Sequence, residues 1–335
     1  MKGRGQLRKE KSLNPSGKLY NEHLIPVLKE SDYIVKNYRL DGDAPKQFIK
    51  AYFYTPDSTV KKTSSQSWPS FIAKTAEKWY PHESVIEFMI NRIGEELGLN
   101  MNKIELVRAN GQVRFLSRYF LNKNEKLVHG AEICGQYLDD LPFAEEIANH
   151  KTNSRELFTF EFIKDAIRTV YPECFETILF ELVRMISFDA LVGNNDRHFY
   201  NWGVVDTAKK TSKLPNFAPL YDSARGLLWN ESDLNCRRQL KNHNQNGKKI
   251  INYMENAAPR ISIEANKEAN HFQLIDFIKR YNKEYEDYVI ELSSMRNQER
   301  VIKMLEREFF PFFIPERSAL IRIIIETRFK RIRGN

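Results

Sequence analysis

Asp196 and Asn201 stand five positions apart in the run Val192-Gly-Asn-Asn-Asp-Arg-His-Phe-Tyr-Asn-Trp-Gly203, and Asp222 follows at the end of Ala218-Pro-Leu-Tyr-Asp222. An Asp with an Asn at this spacing suits phosphoryl transfer. The carboxylate takes the proton of an attacking hydroxyl, and the Asn carbonyl oxygen holds Mg²⁺. Asp222 adds a second oxygen ligand of the kind this hard cation prefers. Each piece has a plainer reading, because Asn and Asp are common in helix-terminating loops and Asp222 equally suits a cap. The order helix, polar loop, β pair, Asp is what favours the catalytic reading. The other half of such a site needs a cation for the phosphates. Lys74 ends the apolar run Pro69-Ser-Phe-Ile-Ala-Lys74, and Glu87 lies thirteen residues later on the following helix. A strand Lys paired with a helix Glu orients the ammonium onto α- and β-phosphates. Taken by spacing alone, two exposed charges are the more common outcome.

The elements that would position these residues divide the chain into unlike parts. A basic, polar opening segment (1–37) precedes a β-rich part (38–121), with runs at Gln47–Tyr54, Ser70–Lys74, Lys103–Arg108 and Val113–Leu121 separated by Gly, Asp, Pro, Ser and Asn. One helix interrupts them, with Ser84 as its expected cap, Val85, Phe88, Met89, Ile93 and Leu97 at helical spacing, and Gly98 as its stop. From 122 to 335 the pattern is helical. Phe175, Ile178, Leu179, Leu182, Val183 and Ile186 form a stripe on a helix running to Gly193, and further helices are expected at Phe272–Leu292, Asn297–Phe309 and Pro315–Arg333. Trp202–Val205 and Phe217–Tyr221 read as a short β pair. The expectation is an α+β, two-lobed molecule with a small β-rich N-lobe and a larger helical C-lobe.

Composition narrows the function classes. The 335 residues are 41% hydrophobic and 29% charged, a globular balance rather than a disordered one. Three widely spaced cysteines without a CxxC pair argue against a disulfide scaffold or a cysteine zinc site and fit a reducing compartment. Apolar runs far shorter than the roughly twenty residues a bilayer requires, and an opening segment without an apolar stretch, point to a cytoplasmic protein with no membrane or secretory role. The net charge of +8 is spread over the opening segment, Arg237–Lys249 and the cluster Arg328, Lys330, Arg331 and Arg333. Dispersed in this way, and without a zinc finger, RNP or helix-turn-helix signature, the clusters read as solvated surface, and no direct nucleic-acid binding is expected.

The motifs together resemble the HipA-like family of bacterial serine/threonine protein kinases. Gly193–Gly203 is similar to that family's catalytic loop and Ala218–Asp222 to its metal-binding segment. Phe71-Ile-Ala-Lys74 resembles its lysine strand, and Ile86-Glu87 through Gly98-Leu99 its helix. Ser117-Arg118-Tyr119-Phe120 resembles the hinge, and Leu127-Val-His-Gly-Ala-Glu132-Ile-Cys134 the stretch after it. These matches span about residues 42–225 in order. The resemblance implies a bilobal protein-kinase-like fold with ATP in the cleft. It makes Asp196 the base, Asn201 and Asp222 the Mg²⁺ ligands, Lys74 the phosphate ligand and Glu87 its orienting partner. Backbone near Ser117 and Tyr119 would hold adenine, and His198 would order the loop. It further implies a serine or threonine on a protein as acceptor and, as in some family members, a toxin role under a DNA-binding antitoxin.

The sequence departs from the family pattern in three places. The best match to its phosphate loop, Asp41-Gly42-Asp43-Ala44-Pro45-Lys46, has one glycine and no serine, which puts loop autophosphorylation in doubt while leaving Gly42 and Lys46 as phosphate contacts through backbone N–H groups and charge. Asp57–Ser67 reads as a mobile, serine-rich insertion. The first forty residues are too few for the extra N-terminal subdomain of some members, so a compact version or a separate small partner is expected. Two other readings stay open: a small-molecule phosphotransferase, which shares the Asp-x-x-x-x-Asn logic, and a nucleotide-binding pseudokinase, which the single-glycine loop favours and the intact Lys74, Asp196, Asn201 and Asp222 oppose.

Overall fold

A computed structural model describes residues 5–38, 46–54, 59–207 and 213–334. Asp41–Pro45, Gly42 included, lie outside the described residues.

The elements run in the order β1 (Asn14–Pro15), β2 (Tyr33–Lys36), β3 (Lys46–Ala51), β4 (Ser70–Thr75), β5 (Trp79–Tyr80), α1 (His82–Glu96), β6 (Ile104–Ala109), β7 (Gln112–Arg118) and β8 (Glu125–His129). There follow α2 (Gly130–Leu138), α3 (Leu141–Asn149), α4 (Lys151–Leu157), α5 (Phe160–Val170), α6 (Phe175–Val192), β9 (Gly203–Thr207) and β10 (Asn216–Phe217). The chain closes with α7 (Asp233–Asn246), α8 (Lys248–Glu255), α9 (His271–Tyr281), α10 (Lys283–Leu292), α11 (Met295–Glu308) and α12 (Pro315–Arg333).

The N-lobe is a five-stranded antiparallel sheet in the order β2-β3-β4-β7-β6. Strand alternation sorts β4 cleanly. Phe71 and Ala73 point into an outer core with Leu7, Leu28, Tyr33, Ile49 and Leu116, while Ser70, Ile72 and Lys74 take the other face. The edge strand β2 comes from the segment that the sequence assigns to the opening tail. Its Tyr33 is buried, and the strand pairs with β3 in the N-lobe sheet.

α1 fuses the lobes. Val85, Ile86, Met89, Ile90 and Ile93 belong to the same apolar cluster as α6 and α12, so one core runs through both lobes. Arg92 to Glu308 (3.3 Å) and Arg300 to Glu96 (3.1 Å) fasten α1 to α11. The helix starts two residues before the expected cap: Ser84 is buried in its first turn, and Pro81 holds the cap position without a side-chain bond. The opening segment straps the two lobes. Ser16 N–H donates to Tyr80 O (2.9 Å), Asp233 N–H to Ser16 O (2.8 Å) and Tyr20 N–H to Phe312 O (3.0 Å).

In the C-lobe, α6 is apolar nearly all round and buried accordingly. The expected β pair gains a third strand, giving the order β10-β9-β8. The single helix expected over Phe272–Leu292 is two, because Asn282 adopts an extended conformation and its side chain caps α10 through Glu284 N–H (2.8 Å). Arg328 is not part of a solvated basic tail. It is fully buried, donates to Ala190 O and Met254 O (3.1 Å), and burial brings its pKa down to about 10. In the Asp57–Ser67 insertion the described part is tied down, with Trp68 Nε1–H donating to Lys61 O (3.2 Å) and Lys62 paired to Asp32 (2.7 Å).

Candidate active site

Three distant segments meet at Lys74. Register places it opposite Lys46 on β3 and Phe115 on β7, its Nζ 5.6 Å from the Phe115 ring centroid. Nζ donates to Glu87 Oε1 at 3.1 Å and to Asp222 Oδ1. The Lys74 and Glu87 side chains are 13% and 8% exposed, so these charges are buried partners rather than solvated ones. Burial alone lowers an ammonium's pKa, but the carboxylates of Asp222 and Glu87 outweigh it and hold Lys74 above its ordinary range. For Asp222, burial pushes the carboxyl up and Lys74 more than reverses it, leaving the group ionised and below its usual value. For Glu87 burial wins and the carboxyl is raised. Lys46 also acts on Asp222 electrostatically.

The loop after α6 is tied to the same site through Arg197. Gly193 ends that helix with φ +68°, a conformation glycine adopts freely, and a Cβ there would press on the Arg328 guanidinium at 3.2 Å. The loop folds on itself: His198 N–H donates to Asp196 O, Asn201 N–H to His198 O (both 2.8 Å) and Asn201 Nδ2–H to Asp196 O (2.9 Å). With its amide nitrogen committed, Asn201 has Oδ1 left for a cation. Tyr200 N–H donates to His198 Nδ1 (3.2 Å), which leaves the ring proton on Nε2. Burial, assisted by Arg260 and Arg197, holds His198 below its usual pKa, so it is neutral at pH 7. Asp222 reaches Lys74 from a left-handed backbone conformation (φ +52°), which Asp tolerates better than most residues.

Arg197, which sequence reasoning passed over, is the strut between these segments. Its guanidinium forks onto Asp189 of α6 (Nε–Oδ2 2.8 Å, Nη2–Oδ1 2.9 Å). It also donates to Asn201 O (3.0 Å), Tyr221 O (2.6 Å) and Ser223 Oγ (2.6 Å). One buried side chain therefore fixes Asn201 relative to Asp222. Its place beside Asp196 in the loop motif was the available signal. Arg225 and Arg260 were also missed. They bind the two oxygens of Asp196, Arg225 Nε at 3.0 Å from Oδ2 and Arg260 Nη2 at 3.1 Å from Oδ1. Arg260 lies 64 residues away in sequence, and nothing local announces it.

At the segment joining the lobes, Ser117 is buried and its hydroxyl accepts from Asn102 Nδ2–H (2.9 Å). Tyr119 N–H donates to Ser70 O (2.9 Å), so this donor is committed within the N-lobe. Tyr119 is 45% exposed, and its ring stands edge-on to Phe48 at 5.6 Å. Lys74, Glu87 and Asp222 are thus in contact, Asp196, Asn201 and His198 form one loop, and Ser117 and Tyr119 lie at the lobe junction.

A β-rich lobe and a helical lobe with these residues between them define a kinase-like fold. The solved structure of the Helicobacter pylori proinflammatory kinase CtkA has the same fold, with a TM-score of 0.67 at 14% identity over 92% of this chain and 97% of that one. The chain belongs to the HipA-like C-terminal domain family, which it matches over residues 39–296. A complex of the Shewanella oneidensis MR-1 toxin–antitoxin proteins HipA and HipB with operator DNA is a more distant likeness, with a TM-score of 0.43 and 14% identity over 88% of this chain and 66% of that one. No curated protein matches the chain.

Proposed function

We propose that this protein is an Mg²⁺/ATP-dependent phosphotransferase that phosphorylates serine or threonine on a protein acceptor. The observation that carries the reading is the convergence of Lys74, Glu87 and Asp222, from three separated segments, joined through Arg197 to the loop that bears Asp196 and Asn201. Family membership supports the same reaction class.

In this reading Lys74, held by Glu87, contacts the α/β-phosphates, with Lys46 beside it. Asn201 Oδ1 and the Asp222 carboxylate are the oxygen donors that suit Mg²⁺. Among the described residues no cluster of three His, Cys, Asp or Glu offers a rival metal site. When bound, the cation neutralises charge on the transferring phosphoryl group. The acceptor hydroxyl oxygen bonds to the γ-phosphorus as the bond to the β,γ-bridging oxygen breaks. ADP leaves with that electron pair, and the hydroxyl proton passes to the Asp196 carboxylate. A neutral His198 hydrogen-bonded to Tyr200 N–H is a positioning residue for this loop. Gly42 would add backbone donors to the phosphates, and the backbone at Ser117 and Tyr119 would border the adenine.

A cytoplasmic location belongs to the same proposal; no described helix is long and apolar enough to cross a membrane. A toxin role restrained by a DNA-binding antitoxin, or a small partner docked on the N-lobe, belongs to the same proposal and is tested by co-purification from the native host.

The test is transfer from γ-labelled ATP with Mg²⁺ to a lysate. Label is expected with the wild-type chain and absent with Asp196→Ala, while thermal stabilisation by ATP persists in that variant and disappears in Asp222→Ala. Label at the wild-type rate with Asp196→Ala would overturn the assignment of the base.

A further inference from the structure

Asp196 has more positive charge around it than a base requires. Both carboxylate oxygens are engaged by guanidiniums, Oδ2 by Arg225 and Oδ1 by Arg260. One negative charge faces two positive ones, and Lys151 at the start of α4 adds a third. Burial, then Arg260 and Arg155, hold the Lys151 pKa below its usual value, and Asp196 and Glu268 only partly compensate. Arg155 spends its own donors on Pro259 O and Ala269 O (2.9 Å). The Arg225 clamp is itself held in place. The Arg225 guanidinium lies 5.3 Å from the centre of the Trp229 ring, and its carbonyl accepts from Asn195 N–H (3.2 Å). Arg260 is 16% exposed, and its Nε is buried without a hydrogen-bond partner among the described residues.

Each Asp196 oxygen spends a lone pair on a guanidinium, so an acceptor hydroxyl approaching it competes with Arg225 or Arg260 for that oxygen. A released, mostly buried guanidinium then lacks a counter-charge, which is costly unless an anion replaces Asp196. Resting on the phosphotransferase reading above, we propose that Arg225 and Arg260 are specificity residues that receive a carboxylate or phosphate next to the acceptor hydroxyl. The substrate class is therefore a serine or threonine in an acidic segment. Planar guanidiniums suit both anions because they donate in pairs to either. A clamp that merely ordered the loop would be indifferent to the charge of the acceptor.

The experiment compares serine peptides of equal length whose neighbours are Ala, Glu, phosphoserine or Lys. Transfer from γ-labelled ATP is measured, and so is binding by fluorescence anisotropy with Mg²⁺ and a non-hydrolysable ATP analogue. Wild type should favour the Glu or phosphoserine peptide over the Lys peptide by on the order of tenfold or more, the size of one charge-assisted hydrogen bond. The Glu and phosphoserine arms tell a carboxylate source from a phosphate one. Arg225→Glu and Arg260→Glu should each shrink or invert that ratio, with Arg→Gln variants and urea melts confirming that the fold persists. Equal handling of all four peptides, or a preference unchanged by both reversals, overturns the proposal and leaves the phosphotransferase reading intact. Acidic-peptide binding with no transfer to any acceptor overturns the phosphotransferase reading and leaves the anion site standing.

Discussion

Replacing Arg197 by alanine removes a side chain that joins α6, the Asp196–Asn201 loop and the Tyr221–Ser223 segment. Arg197 and Asp189 are 3% and 4% exposed, so the change strands a buried carboxylate with the Asn194 amide (2.9 Å) as its remaining side-chain donor. Breaking a buried pair from one side costs about 3–5 kcal/mol. The carbonyls of Asn201 and Tyr221 and the Ser223 hydroxyl lose a donor as well, so the cost falls at the upper end of that range. Against a typical total stability of about 5–15 kcal/mol this is a large fraction. Urea denaturation at pH 7 with linear extrapolation measures it, and ATP-induced thermal stabilisation should fall in parallel because Asn201 and Asp222 lose their common anchor. Arg197→Lys keeps the charge but not the planar fork, and should fall between. Asp189→Leu combined with Arg197→Met removes both charges together and should cost less than Arg197→Ala alone, since no unpaired ion is left. A loss below about 1 kcal/mol for Arg197→Ala, or a double variant worse than the sum of its singles, would refute the strut.

Two further outcomes test the frame around the site. His82 is fully buried between the Ser16 hydroxyl (2.9 Å) and Phe313, and burial, aided by Arg317, lowers its pKa to about 3. The unfolded chain therefore binds a proton at this position that the folded chain refuses. Stability is lost as pH falls from about 6.5 towards 3, by about 2 kcal/mol between pH 7 and pH 5. The urea midpoint of His82→Asn should show a correspondingly shallower pH slope than wild type, and an identical slope would sink the assignment. At the start of β9, a Cβ on Gly203 would lie 2.3 Å from the Val128 carbonyl oxygen of the neighbouring strand. Gly203→Ala should cost about 1–3 kcal/mol by thermal melt, and a neutral result would mean that β8 and β9 separate more easily than their ladder implies.

The sequence alone carried the chemistry whose parts are close together in the chain. Asp196, Asn201 and His198 fall within one turn-rich loop, so their spacing directly limits their geometry, and the loop indeed folds back with His198 N–H and the Asn201 side-chain amide both donating to Asp196 O. Periodicity carried α1 and α6, because burying one stripe or a whole helix demands that pattern. Local pattern failed where a long-range contact decided the outcome. Tyr33–Lys36 is too short to declare itself and becomes a strand by pairing with β3. Arg328 reads as a surface charge in a basic tail and is buried because α12 inserts into the core beside α6.

The same division runs through the site. For Lys74 and Glu87 spacing alone favours two exposed charges while the family resemblance pairs them, and packing of α1 against the sheet brings them together at 3.1 Å. Asp222 joined them from 148 residues beyond Lys74 through a left-handed backbone turn that no spacing rule encodes. The arginines on Asp196 arrive from the loop after Asp222 and from the α8–α9 connection, two places that the catalytic motif does not reach. Electrostatic partners are set by distance in space, and in this chain that distance is fixed by α1, α6 and the opening strap acting together.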